Sequence, residues 1–260
     1  MSSNKVVKIK IEMKFYEKAI IFIIGFLWMF VVVRFSGIIS AETLKENKEN
    51  IVWLYSSVGL IFGMISAFVI QSQLEKWDKL VNSVRGEVDG LREMMQLSKR
   101  FPKNIGDRVR SAIETYLNCL VNKEGWKQVD KGERTQDVEA ALETLQDELS
   151  NAVDETPKLT DVTFRTFTVV LEHKNKRLHY SAGHLPSILN ITITFATFLF
   201  IGFTMLIYVP NGLLDFVFKF GVTALSFLIY VVIMDLNHPY RPGSWHLKND
   251  QYKKLLDEIK

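Results

Sequence analysis

The stretch Ile51–Ile70, IVWLYSSVGLIFGMISAFVI, runs straight into Gln71–Ser98, QSQLEKWDKLVNSVRGEVDGLREMMQLS, and the reading of this junction decides the fold. The first part carries no charge and is as long as a bilayer core requires, roughly 20 residues. The second part is polar, yet Leu74, Trp77, Val81, Val84, Val88, Leu91 and Met95 recur three or four apart and share one helical face. No proline interrupts the run, and Gly63, Gly86 and Gly90 are tolerable inside a helix. A single helix of about 48 residues rises roughly 70 Å, far beyond one bilayer. The alternative is two helices with an interfacial joint near Gln71–Gln73. Under both readings the chain leaves a membrane here and continues into water.

Outward from this stretch, apolar residues concentrate in four blocks, while the segment from about Gln71 to Leu185 carries most of the charge. A hydrophobic content of 48% suits a soluble two-domain protein, but this uneven distribution excludes one. The expected organisation is all-helical. A basic leader (1–18) precedes two transmembrane helices (19–71), a helical cytoplasmic domain (72–184), two further spans (185–236) and a cytoplasmic tail (237–260). The first block is too long for a signal-peptide core and reads as a retained anchor.

Basic residues set the orientation. Lys5, Lys8, Lys10, Lys14 and Lys18 precede the first span, and Lys76, Lys79 and Arg85 follow the second. Lys174, Lys176 and Arg177 precede the third, and Arg241 follows the fourth. The opposite side offers only Lys45 and Lys48. A multi-pass protein of the cell (inner) membrane with both termini cytoplasmic is expected.

The middle segment predicts a helix over about 104–121 on the face Ile105, Val109, Ile113, Tyr116, Leu117 and Leu120. A helix over about 135–153 follows with Val138, Leu142, Leu145 and Leu149, and another over about 158–182. Trp77, Trp126 and Phe164 are candidates for contacts between subunits. The tail ends in a short amphipathic helix.

Several function classes find no support. The net charge of +3, with no basic stripe interleaved with aromatics, does not suggest nucleic acid. The single cysteine, Cys119, excludes an intrachain disulfide framework and sits in an apolar helical pattern, as a buried structural thiol does. There is no phosphate-binding glycine loop, nucleophile elbow or paired-cysteine motif, so no enzyme and no cofactor is expected. His173, His179 and His184 are spaced by six and five residues, which puts them on different helix faces and not around a metal. The carboxylates of the middle domain read as a solvated face.

Ionisable residues inside spans are costly and tend to pair or to line water. Arg34, Asp215 and Lys219 qualify, and Asp215 and Lys219 stand four apart in the favourable acid-before-base order. They read either as snorkelling plus an interfacial ion pair, or as an electropositive outer vestibule that concentrates anions. On the second span, Leu60, Met64 and Phe68 form one row, and Ile61, Ile65 and Val69 form another. Repeated around a ring of subunits, either row makes apolar collars that gate by dewetting. Gly59 and Gly63, with Ser57 and Ser66, would let neighbouring helices approach closely.

The arrangement resembles the bestrophin-like family of bacterial membrane proteins, relatives of the bestrophin anion channels. The resemblance lies in the exit of the second span (QSQLEKWDKLVNSVRGEVDGLREM), the approach to the third (KNKRLHYSAGHLP) and the end of the fourth (FLIYVVIMDLNHPYRPGSW). The last is the most specific, with Asp235-Leu236-Asn237, then Pro239-Tyr240 and Gly243. Family members more often carry a second Asp where Asn237 stands. The resemblance implies a homopentamer conducting small anions such as chloride, with the second span lining the pore and neck residues Ile61, Ile65 and Phe68, Met64 being the competing choice. The acidic calcium clasp of animal bestrophins has no counterpart in the tail, so calcium gating is not expected. Two alternatives stay open: a non-conducting membrane scaffold or sensor that binds a cytoplasmic partner, and a cation channel on the same fold.

Overall fold

The computed structural model describes residues 15–35, 41–122, 134–183, 185–240 and 245–259. Most of the basic leader, Trp126, His184 and Gly243 lie outside the described residues. Every regular element among those described is helical: α1 (Phe15–Phe35), α2 (Ala41–Glu46), α3 (Lys48–Ser98), α4 (Lys103–Val121), α5 (Gln136–Glu155), a 3-10 turn at Pro157–Leu159, α6 (Thr160–Ala182), α7 (Ser187–Leu206), α8 (Gly212–Leu236) and α9 (Asp250–Ile259).

α3 decides between the two readings of its sequence. It is one helix of 51 residues, with no joint at Gln71–Gln73. It stops where the chain approaches Pro102, a residue that disfavours helical backbone at Phe101. The Arg100 amide donates to Leu97 O (2.8 Å), and the amides of Ile105 and Gly106 donate to Pro102 O (2.9 Å each), so the chain turns directly into α4. Helices α3, α7 and α8 are long and apolar enough to cross a membrane, and α1 contains a shorter apolar stretch, Ile20–Val32.

The chain divides into two compact units. The first comprises residues 1–71, 185–235 and 241–245; the second comprises 72–184, 236–240 and 246–260. In the first, aromatic side chains join the helices. Phe22 of α1 stacks on Phe227 of α8 at 4.2 Å, and Phe26 meets Phe216 and Phe220 edge-on at 6.0 and 5.4 Å. Phe200 of α7 stacks on both Tyr55 and Phe62 of α3, at 5.0 and 5.1 Å. The same ring covers Gly59, where a Cβ would sit 2.9 Å from it. Gly59 therefore permits close approach inside the subunit, whereas a Cβ at Gly63 meets nothing.

In the second unit the apolar stripes become one core. Leu80, Val84, Val88 and Leu91 of α3 pack with Ile105, Val109, Ile113, Leu117 and Leu120 of α4, with Leu142, Leu145 and Leu149 of α5, and with Phe167 and Val170 of α6. Tyr252, Leu255 and Leu256 of α9 complete it, so the charged C-terminal helix is part of the core. At Gly86 and Gly90 side chains of α6 lie directly against the backbone of α3. The His173 ring lies over Gly86, and Val170 Cγ2 would be 2.8 Å from a Cβ on Gly90. Phe164, 40% exposed, stays outside this core.

Candidate functional site

The membrane part of α3 has two unlike sides. Leu60, Ile61, Met64 and Phe68 are 57–69% exposed on one face, and Trp53 extends it. On the other, Phe62, Ser66 and Val69 are buried, and Ile65 packs with Val69 against Leu189 and Ile193 of α7 and Ile229 and Ile233 of α8. A helical step of 100° per residue explains the split, because Ile61, Met64 and Phe68 fall within one narrow arc. Ile65 lies further round, toward the helix's own partners. Of the four neck candidates, the structure places Ile61, Met64 and Phe68 together on the open face, and Ile65 apart from them.

The charged candidates of the spans are held differently. Lys219 Nζ lies 2.8 Å from Asp215 Oδ1, and both residues are buried, at 6% and 1% exposure. The ammonium also sits 5.8 Å from the centroid of the Phe30 ring of α1. Asp215 stands in the first turn of α8, where the helix dipole favours an anion. Asn211 caps that turn, its Oδ1 accepting from the amides of Leu213 (3.0 Å) and Leu214 (3.2 Å). Burial as a neutralised pair is what low-dielectric surroundings demand. Asp215 and Lys219 thus sit inside the subunit and do not line an open surface of it. Arg34 lies on α1, one turn beyond Phe30; its side chain is outside the described residues.

The segment after α8 is anchored residue by residue. Asp235 is half-buried, and Asn237 and Pro239 are buried. The Pro239 carbonyl accepts from the Leu247 amide at 2.7 Å. Tyr240 Oη and Ser181 Oγ of α6 share a buried hydrogen bond of 2.6 Å. This backbone-and-hydroxyl anchoring positions the start of the tail within the second unit.

The most elaborate polar group of the second unit was not anticipated from the sequence. Glu87 of α3 is fully buried and collects donors from three other helices. Tyr116 Oη of α4 donates to Oε1 at 2.6 Å, and Tyr252 Oη of α9 donates to Oε2 at 2.8 Å. Arg177 of α6 donates through Nε to Oε2 at 2.7 Å and through Nη2 to Oε1 at 3.3 Å. Burial pushes both phenols well above their ordinary range, Glu87 adds to it, and Arg177 opposes it. For Arg177 burial works against the charge, but Glu87 and the two phenols outweigh it and hold the guanidinium more firmly protonated than usual. The middle-domain carboxylates are therefore not all a solvated face. Lys174 makes a second such contact, with Nζ 2.6 Å from Glu139 Oε1 and only 3% of the residue exposed. A signal was present: Glu87 occupies the row Leu80, Val84, Leu91, Met94, where the helical period calls for an apolar residue.

Cys119 is half-buried, and burial, then Asp137, raises its thiol. Among the described residues no three metal-binding side chains converge.

The sequence matches the bestrophin-like domain over residues 19–244. No curated protein matches it. The fold is similar to crystal structures of variants of a bacterial bestrophin homologue from Klebsiella pneumoniae. One has a TM-score of 0.72 at 11% identity, covering 93% of this chain and 97% of that one. Another has a TM-score of 0.72 at 12% identity, covering 94% and 96%. A third has 0.71 at 12%, covering 91% and 97%.

Proposed function

The chain belongs to the bestrophin-like domain family, and from that premise we propose that it is one subunit of an oligomeric ion channel with α3 lining the pore. The observation that carries the reading is the open apolar face of α3. Leu60, Ile61, Met64 and Phe68 present large side chains that stay 57–69% exposed among the described residues, while the opposite side of the helix is packed. Repeated about a symmetry axis, that face forms stacked apolar rings, the constriction that gates by dewetting. In this reading α1, α3, α7 and α8 are four spans, the second unit and both termini are cytoplasmic, and five subunits close the ring. The permeant ion is a small anion such as chloride. Apolar rings carry no charge selectivity, and the buried, paired Asp215 and Lys219 supply little field, so anion preference rests on the family resemblance.

The test is purification in detergent, a mass measurement of the oligomer, and chloride and potassium flux into liposomes from the same preparation. A pentamer that passes chloride faster than potassium is the expected result. The reverse ratio makes it a cation channel on this fold. A pentamer or smaller species with no flux returns the scaffold or sensor reading, with the second unit as the surface that meets a partner.

A further inference from the structure

Where α3 turns into α4, a cavity of about 210 Å³ opens on the second unit. Lys99 stands on one wall, and Lys103, Asp107 and Arg110 of α4 stand on the other. A Cβ on Gly106 would run into the Ser98 carbonyl oxygen, so the two walls are fixed against each other by backbone packing. Three cations against one carboxylate leave the cavity with a net charge of +2. No ion pair neutralises them: none of the three lies within ion-pair distance of a carboxylate among the described residues, Asp107 included. Arg110 is the telling one. It is half-buried, its Nε is shielded from water without a hydrogen-bond partner, and its terminal Nη groups stay open and unpaired. Arg92 and Arg177, the other arginines of this unit that are withdrawn from solvent, each hold a carboxylate. A guanidinium drawn partly out of water without an anion beside it is costly.

We infer that this cavity binds the phosphoryl group of a water-soluble anion, with the Arg110 Nη groups donating to its oxygens and Lys99 and Lys103 closing on it as point charges. A phosphoryl group carries about −1.5 to −2 at pH 7, which matches the charge the cavity holds, whereas a carboxylate or a halide would leave part of it uncompensated. The planar fork of an arginine meets two phosphoryl oxygens at once, and lysines add charge without demanding a direction. The place of the cavity decides the source of the group. Ser98 ends α3 about 40 Å of helix rise beyond Ile70, the last residue of the uncharged stretch, so a lipid headgroup does not reach it.

The experiment is thermal stability of the full chain, purified in a detergent that contains no phosphate and titrated at pH 7 with sodium phosphate and, at matched ionic strength, with sodium acetate. A ligand of the folded state raises the melting temperature saturably. Phosphate is expected to do so for the native chain, and acetate is not. In Arg110→Gln the apparent phosphate affinity is expected to fall by about tenfold or more, because charge-assisted hydrogen bonds are lost. Asp107→Asn removes the one carboxylate of the cavity and is expected to bind phosphate about two- to fivefold more tightly. A gain of affinity is not something a poorly folded variant can imitate, so Asp107→Asn decides even where Arg110→Gln folds poorly. Absence of a saturable phosphate shift with the native chain, equal shifts with phosphate and acetate, or an affinity left unchanged by Asp107→Asn overturns the proposal.

Discussion

At the scale of single residues, the second unit turns on one carboxylate. Glu87 and Arg177 are 0% and 1% exposed, so neither charge is screened by water. Removing one partner of such a pair leaves the other buried and uncompensated, which costs about 3–5 kcal/mol. Glu87→Gln and Arg177→Met are each expected to lower stability by that amount in chemical denaturation. The double variant is expected to lose clearly less than the sum, because the second substitution removes a charge the first had stranded. Additive losses would show that the two side chains do not act as a pair. Tyr116 and Tyr252 add a pH dependence. Their phenols ionise well above the ordinary value of about 10 in the folded chain. As pH rises past that value the unfolded chain loses protons the folded chain keeps, so stability is full below about pH 10 and falls above it. Each phenol contributes a slope of about 1.4 kcal/mol per pH unit in that window. Melting curves from pH 8 to 11 are expected to flatten in Tyr252→Phe, and an unchanged slope would remove Tyr252 from this account.

At the scale of elements, the sequence declared the helices and their buried stripes but not what occurs where helices touch. Ile105, Val109, Ile113, Tyr116, Leu117 and Leu120 are legible as one face because periodicity alone dictates it, and all six are fully buried. Glu87 and Arg177 were not legible as partners, since 90 residues separate them and nothing local links their positions. The glycines of α3 were equally mute. Sequence weighs Gly63, Gly86 and Gly90 as helix weakeners and offers only Gly63 of the three for close helix approach, yet in the structure it is Gly86 and Gly90 that have close neighbours. A methyl at Gly86 runs into the His173 ring and one at Gly90 into Val170, while one at Gly63 meets open space. Gly86→Ala and Gly90→Ala are therefore expected to destabilise by about 1–3 kcal/mol through overpacking. Gly63→Ala is expected to gain up to about 1 kcal/mol from helix propensity alone. Thermal unfolding of the three variants checks the order. A loss at Gly63 confined to the assembled oligomer would mean that a neighbouring subunit occupies the space its own chain leaves empty.

At the scale of the whole molecule, the question is what faces the open side of α3, and Ile65 makes it answerable. Lipid, a neighbouring subunit and a narrow water-filled pore would each tolerate Ile61, Met64 and Phe68 exposed, so exposure alone does not choose. Function does. If these side chains form the constriction, shortening them widens and hydrates it, and Phe68→Ala and Met64→Ala are expected to raise ion flux in liposomes several-fold without loss of stability. Ile65 stands on the packed side with Val69, Ile193 and Ile233. Its truncation empties part of an interhelical contact, so Ile65→Ala is expected to lower the melting temperature, with a cost of about 1–2 kcal/mol for a half-buried side chain, and to leave flux near the native level. The two sets of variants thus exchange phenotypes across a rotation of about 40° between Ile61 and Ile65 on one helix. Raised flux in Ile65→Ala with no change in Phe68→Ala or Met64→Ala would place the pore on the other side of α3. That would require the helix to turn away from α7 and α8 on assembly. Unchanged flux in all three would move the constriction off this helix altogether.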